Sequence, residues 1–156
     1  MKTISFFRLS IRSFSLYLIV LIFSVSAFVA SAETPPGGGF HSFTVEDIYG
    51  DPFELASLKG KKVMIVNTAS KCGLTPQYED LEALYQQYGG DRFVIIGFPA
   101  NNFLNQEPGT NDEILAFCQS NYGVSFPMMS KVSVKGKDIA PVIKWLTQKS
   151  ENGVMD

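Results

Sequence analysis

Cysteine and histidine are scarce in this chain. Its 156 residues include two cysteines, Cys72 and Cys118, and one histidine, His41. A zinc site needs about four ligands, usually cysteine and histidine, so this sequence has no such cluster to offer. A Cys–His hydrolase would have to recruit His41, which lies in a flexible-looking entry segment. Positive charge is also in short supply. Residues 1–32 hold three of the 13 Lys and Arg and none of the 15 Asp and Glu, which leaves 10 against 15 and a net charge of −5 beyond them. That balance argues against nucleic acid as a partner, because phosphate binding needs clustered Lys and Arg. It leaves no polybasic patch for a membrane surface either.

Long apolar runs are rare as well. One, at about residues 16–29, follows the basic Lys2, Arg8 and Arg12 and precedes Ala30-Ser31-Ala32. This is the layout of a secretory signal peptide over residues 1–32, with cleavage predicted between Ala32 and Glu33. The expected destination is the periplasm or the medium. The alternative is an uncleaved anchor, but the run is short for a span of about 20 residues and is broken by Ser24 and Ser26. Cleavage leaves 124 residues with no stable membrane span, enough for one domain with a modest core. Residues 33–42, with Pro35-Pro36-Gly37-Gly38-Gly39, read as a linker, and residues 43–156 as the domain.

What is present is organised around Val63-Met64-Ile65-Val66-Asn67-Thr68-Ala69-Ser70-Lys71-Cys72-Gly73-Leu74-Thr75-Pro76. The apolar, β-branched run predicts a strand buried on both faces. Thr75 as N-cap and Pro76 at the first helical position predict a helix after it. Glu79 and Asp80 suit the positive end of that helix. Leu74, Tyr78, Leu81, Leu84, Tyr85 and Tyr88 follow helical spacing. Cys72 thus sits just ahead of a helix N-terminus with Lys71 beside it, and both features favour a thiolate. The plainer alternative is a small buried cysteine filling a gap.

The remaining elements follow in order. Phe43 and Val45, then Phe53 and Leu55, alternate with polar neighbours around Tyr49-Gly50-Asp51-Pro52, which predicts a β-hairpin. Gly89-Gly90 stops the helix, in the left-handed conformation expected of C-terminal glycines. Phe93-Val94-Ile95-Ile96-Gly97-Phe98 reads as a second buried strand, parallel to the first through a βαβ crossover. Ligands in such sheets bind beyond the carboxyl ends of the strands. Cys72 and the amide-rich loop at residues 99–109 both fall there. Amides at a ligand edge can donate hydrogen bonds, although Asn101, Asn102 and Asn105 equally suit turn geometry. Thr110 and Glu113 form a capping box for a third element whose apolar face includes Ile114, Cys118 and Tyr122. On that face Cys118 reads as core packing. Residues 126–134 read as a strand, and residues 140–146 as the start of a helix with Trp145 as a core residue.

Three motifs together, Asn67-Thr68-Ala69-Ser70-Lys71-Cys72-Gly73, Gly97-Phe98-Pro99 and Asn102-Phe103-Leu104-Asn105-Gln106-Glu107-Pro108-Gly109, resemble the glutathione peroxidase family. The resemblance covers about residues 43–156. It implies an α/β, thioredoxin-like fold with an added N-terminal β-hairpin. It also implies a thiol-dependent peroxidase that answers oxidative stress by reducing hydrogen peroxide or organic hydroperoxides. The family's peroxidatic residue falls on Cys72, its catalytic glutamine on Gln106, and the resolving cysteine of its thioredoxin-using members on Cys118. Many relatives carry a further cysteine where this chain has Ala100. No cofactor is implied. The reductant is a co-substrate, thioredoxin-like or glutathione, with the former favoured by Cys118. In the implied cycle Cys72 becomes a sulfenic acid and Cys118 condenses with it.

The family also carries a Trp-Asn-Phe segment, a last strand and a last helix that would fall beyond Asp156. The domain is therefore expected to be incomplete at its C-terminus, with an exposed sheet edge. Trp145 does not match the family's catalytic tryptophan. Three alternatives stand beside the peroxidase. One is a non-catalytic truncated remnant. Another is a disulfide oxidoreductase, whose Cys-x-x-Cys would need a cysteine at Thr75. The third is a structural Cys72–Cys118 disulfide in an exported domain.

Overall fold

The computed structural model describes residues 39–148. The signal peptide and most of the linker lie outside the described residues. The first described element is a short 3-10 helix, Phe40–Ser42. Phe40 packs on Trp145 with ring centroids 6.3 Å apart. His41 Nδ1 lies 2.9 Å from the Leu55 carbonyl oxygen.

Strands β1 (Thr44–Glu46) and β2 (Pro52–Glu54) form the expected antiparallel hairpin, with Val45 opposite Phe53. The Asp47 carboxylate closes the turn by accepting from the Tyr49 and Asp51 amides at 2.9 and 3.0 Å. A 3-10 turn, Leu55–Leu58, leads into β3 (Lys62–Thr68). After α1 (Gln77–Tyr88), β4 (Phe93–Pro99) pairs with β3 in parallel, Val63 opposite Val94 and Thr68 opposite Pro99. Then come α2 (Asn111–Tyr122) and α3 (Pro141–Thr147), the latter with proline in its first turn.

Strand β4 is the axis of the core. Successive side chains of a strand point to opposite faces. Val94, Ile96 and Phe98 accordingly pack with Phe43, Leu55 and Ile143. Ile95 packs on the other face with Tyr78, Ile114 and Cys118. Burying a side chain such as Ile96 or Phe98 contributes roughly 1.5–3 kcal/mol. Helix α2 is closed at both ends as the sequence suggests. Thr110 Oγ1 accepts from the Glu113 amide, the Glu113 carboxylate accepts from the Thr110 amide, and Gly123 takes the left-handed conformation at φ 62°.

Four expectations need correction. Strand β3 is not covered on both faces: Met64 is 38% exposed and Asn67 is exposed, and among the described residues β3 pairs only with β4. Leu74 falls ahead of α1 and is exposed, and Tyr88 at the end of α1 is exposed too, so the apolar spacing extends beyond the face that α1 buries. Gly89 is extended at φ −60°, and only Gly90 takes a positive φ. Finally, residues 126–134 form no strand. Pro127 lacks an amide donor, and this segment divides its backbone bonds between two partners. It bonds to β4 through Gly97–Pro127 and Met129–Gly97, and to the hairpin through Ile48–Met128 and Ser130–Glu46.

Candidate active site

The segment after β3 does not enter a helix directly. Residues 70–76 form consecutive turns, and the regular helix starts at Gln77, five residues past Cys72. Pro76 occupies the N-cap position without a side-chain cap. Thr75 does something else. Its hydroxyl accepts from the Cys72 amide at 2.9 Å and donates to the Ala69 carbonyl at 2.9 Å. Its own amide donates to the Cys72 carbonyl at 3.1 Å. Thr75 is therefore a stitch across the Cys72 turn rather than the cap its sequence position suggests. Cys72 itself is half-buried and free, and the Leu74 amide points at its Sγ at 3.5 Å.

The loop after β4 comes alongside. The Lys71 amide donates to the Gln106 carbonyl at 2.9 Å, which locks the two segments together. Leu104 and Asn105 both take positive φ, at 51° and 53°, an uncommon conformation for a leucine. The strain reverses the chain just ahead of Gln106. Asn101 and Asn102 are spent on structure: Asn101 accepts from the Glu107 amide, and Asn102 bonds the Val134 amide and the Ser133 hydroxyl. Cys72 and Gln106 line one cavity of about 230 Å³, together with Thr68, Thr75, Tyr78 and Ala100. Leu74 and Phe103 form its exposed apolar rim.

Cys118 is not in that cavity. It is wholly buried on α2, beside Ile114, in the cluster that holds Tyr78. Burial pushes its thiol above the ordinary range and the Glu107 carboxylate adds to this, while the Tyr78 hydroxyl acts the other way. Both cysteines are free, so the structure contains no Cys72–Cys118 bridge. Trp145 packs on Phe40 and Phe43 as a core residue. His41 is not among the residues lining the Cys72 cavity.

Two buried acids went unnoticed in the sequence. Glu107, next to Gln106, is only 1% exposed. Its burial raises the carboxyl above its usual value, against the pull of the Ser70 hydroxyl at 3.2 Å and of Lys131 and Lys71. Glu82 on α1 is also buried. Burial raises its carboxyl, but bonds from Ser125 and Gln86 outweigh that and hold it below the usual value. No local signal separates either residue from an exposed glutamate. The Ser70 and Ser125 donors lie 37 and 43 residues away, and the local donor to Glu82, Gln86, does not by itself bury it.

Comparison with known proteins meets this geometry. A family model described as glutathione peroxidase matches residues 40–147. The glutathione peroxidase-like peroxiredoxin gpx1 of Schizosaccharomyces pombe is 53% identical over 116 residues, 74% of this chain and 73% of that protein. A hydroperoxy fatty acid reductase of Synechocystis is 46% identical over 110 residues, 70% of this chain and 65% of that protein. Among solved structures, apo Trgpx superposes with a TM-score of 0.54 at 40% identity. That match covers 70% of this chain and 64% of that one, so the chain spans a little under two thirds of the solved protein. T. cruzi GPX1 gives a TM-score of 0.53 at 30% identity, over 70% of this chain and 65% of that one. The cysteine turn, the glutamine loop and these matches agree, and the chain belongs to the glutathione peroxidase family, with its thioredoxin-like α/β fold.

Proposed function

We propose that this protein is a thiol-dependent peroxidase that reduces hydrogen peroxide or organic hydroperoxides. The observation that carries the proposal is the meeting of Cys72 and Gln106 on one cavity beyond the carboxyl ends of two parallel strands. Cys72 as thiolate attacks the peroxide: an S–O bond forms, the O–O bond breaks, and the departing alkoxide or hydroxide takes a proton. Gln106 orients the peroxide or the thiolate by hydrogen bonding. The sulfenic acid on Cys72 then condenses with Cys118, releasing water. A thioredoxin-like thiol, or glutathione, reopens the disulfide as co-substrate. No resident cofactor takes part. Because Cys118 is wholly buried on α2, part of that helix has to leave its seat before the two sulfurs meet. We also propose that the protein works after export, in an oxidative-stress response outside the cytoplasm.

One observation favours a second reading, a remnant of the fold without catalysis. The outer edge of β3 is unpaired among the described residues, and Phe103 and Leu104 stand exposed beside the cavity. A single assay separates the two. The full-length protein is given hydrogen peroxide or cumene hydroperoxide with a thioredoxin, thioredoxin reductase and NADPH, or with glutathione and its reductase. Steady turnover that Cys72→Ser abolishes and Cys118→Ser removes with the thioredoxin couple is the expected result. Turnover that survives Cys72→Ser, or none in the unaltered protein, overturns the peroxidase.

A further inference from the structure

Tyr78 belongs to the surroundings of both cysteines. It is 3% exposed and lines the Cys72 cavity, yet it also belongs to the buried cluster of Cys118. Its ring is wedged against Tyr122 on α2 at 5.4 Å between centroids and against Phe126 at 6.4 Å. Its hydroxyl faces Cys118 and Thr68. Neither that hydroxyl nor Thr68 Oγ1, on a residue 5% exposed, is held in a formed hydrogen bond. Two unpaired hydroxyls buried side by side are costly to the fold, which sets them apart from its other buried polar groups.

Cys118 is what they can serve. The other residues of its cluster are apolar: Ile48, Ile95, Ile114, Val124, Phe126 and Met128. The charged group that acts on it is the Glu107 carboxylate, which disfavours a thiolate. The polar side chain that favours one is Tyr78. We propose that Tyr78 is a positioning residue for Cys118 in the second step of the cycle. Its hydroxyl donates a hydrogen bond to the sulfur of Cys118 as that sulfur gives up its proton. The Cys118 thiolate then attacks the sulfenic sulfur of Cys72. An S–S bond forms, the S–O bond breaks, and the departing hydroxide takes a proton to become water. Cys118 is oxidised as the sulfenic sulfur is reduced, so no further oxidant is needed. The inference rests on the peroxidase reading above and adds a group that acts after the first step.

The test uses full-length protein carrying Tyr78→Phe, which removes one oxygen and keeps the ring packing. One equivalent of hydrogen peroxide is added, and quenched samples are read by mass spectrometry from pH 5 to 9. A dimedone-type probe reports the sulfenic acid on Cys72, and peptide mapping reports the Cys72–Cys118 disulfide. The rate of sulfenic acid formation is measured in the same samples, and disulfide formation is compared relative to it. Disulfide formation should slow roughly five- to tenfold near neutral pH, and its pH midpoint should rise by up to about one unit. Sulfinic acid should then build up on Cys72 at excess peroxide. A merely structural effect would change the rate alike at every pH and leave the midpoint in place, which would overturn the proposal. Replacing Tyr78 by 3-fluorotyrosine, a stronger donor of nearly the same size, should keep the disulfide rate at or above the unaltered one. Failure of that rescue also overturns it. If unaltered protein forms the sulfenic acid but never the disulfide, this inference falls and the peroxidase stands. If Cys72 is not oxidised at all, the peroxidase reading itself fails.

Discussion

Replacing Thr75 by aspartate separates two roles that predict opposite outcomes. As a helix N-cap, threonine is interchangeable with aspartate, and the change would be neutral or mildly stabilising. In the structure the Thr75 hydroxyl both accepts, from the Cys72 amide, and donates, to the Ala69 carbonyl, each at 2.9 Å. A carboxylate can keep the first bond but cannot donate. It would set a negative charge against the Ala69 carbonyl at a residue that is 8% exposed. A lost hydrogen bond is worth about 0.5–1.5 kcal/mol, and a buried acceptor left unpaired costs about 1–3 kcal/mol. We therefore expect Thr75→Asp to destabilise the protein by about 2–3 kcal/mol. At about 4–8 °C per kcal/mol for a domain near this size, Tm falls by roughly 10 °C or more. Thr75→Ser keeps both bonds and should cost under about 1 kcal/mol. Urea melts of the three full-length proteins give the stabilities, and probe trapping gives the rate of sulfenic acid formation on Cys72. Both quantities should fall together in the aspartate variant. A Thr75→Asp protein as stable as the unaltered one would refute the stitch and restore the cap.

The two buried glutamates predict pH dependences of opposite sign. Glu107 has a raised carboxyl in the fold, so its contribution is fully present below the unfolded value and is lost as pH rises through the folded one. Glu107→Gln should flatten that loss in urea midpoints measured from pH 4 to 8; an unchanged slope would show that Glu107 is not its source. Glu82 is held low, so its contribution is present above the unfolded value and disappears as pH falls through the folded one. Glu82→Gln should cost about 1–3 kcal/mol at neutral pH, through the Ser125 amide and hydroxyl it leaves poorly paired, and should weaken the acid dependence. Thr110→Ala opens the capping box of α2 and should cost about 1 kcal/mol by thermal melting.

The parts of the fold that were legible in the sequence are those whose signal is local. The hairpin shows as alternation around a turn, and the capping box shows as Thr110 and Glu113 three residues apart. The parallel pair shows as two apolar runs flanking a helical period. The failures share a different cause. Residues 126–134 alternate like a strand, but their backbone partners lie on both β4 and the hairpin, so no ladder forms. Continuous apolar character in β3 implies two covered faces, yet coverage depends on neighbours that the strand's own residues do not specify. Thr75 has the composition of a cap, and only the Ala69 carbonyl folded back beneath it decides otherwise.

The candidate site repeats the same division. That Cys72 and the glutamine loop would be neighbours follows from topology: both leave the carboxyl ends of adjacent parallel strands, and the Lys71–Gln106 backbone bond closes the gap. Their chemistry, however, depends on side chains whose partners are distant in the chain. Tyr78 reads as one more apolar position of a helix, because periodicity describes where a ring goes and not what its hydroxyl meets. Glu107 reads as a polar loop residue, because its burial comes from Ser70 and Lys131 closing over it from other segments. In the proposed cycle, resolving thiol and core filler are thus not competing descriptions of Cys118. A thiol that is wholly buried in the resting fold is protected from oxidation, and the proposed cycle asks part of α2 to move before the two sulfurs meet. In that proposal the same burial that shields Cys118 at rest also sets the cost of moving α2 before the disulfide can form.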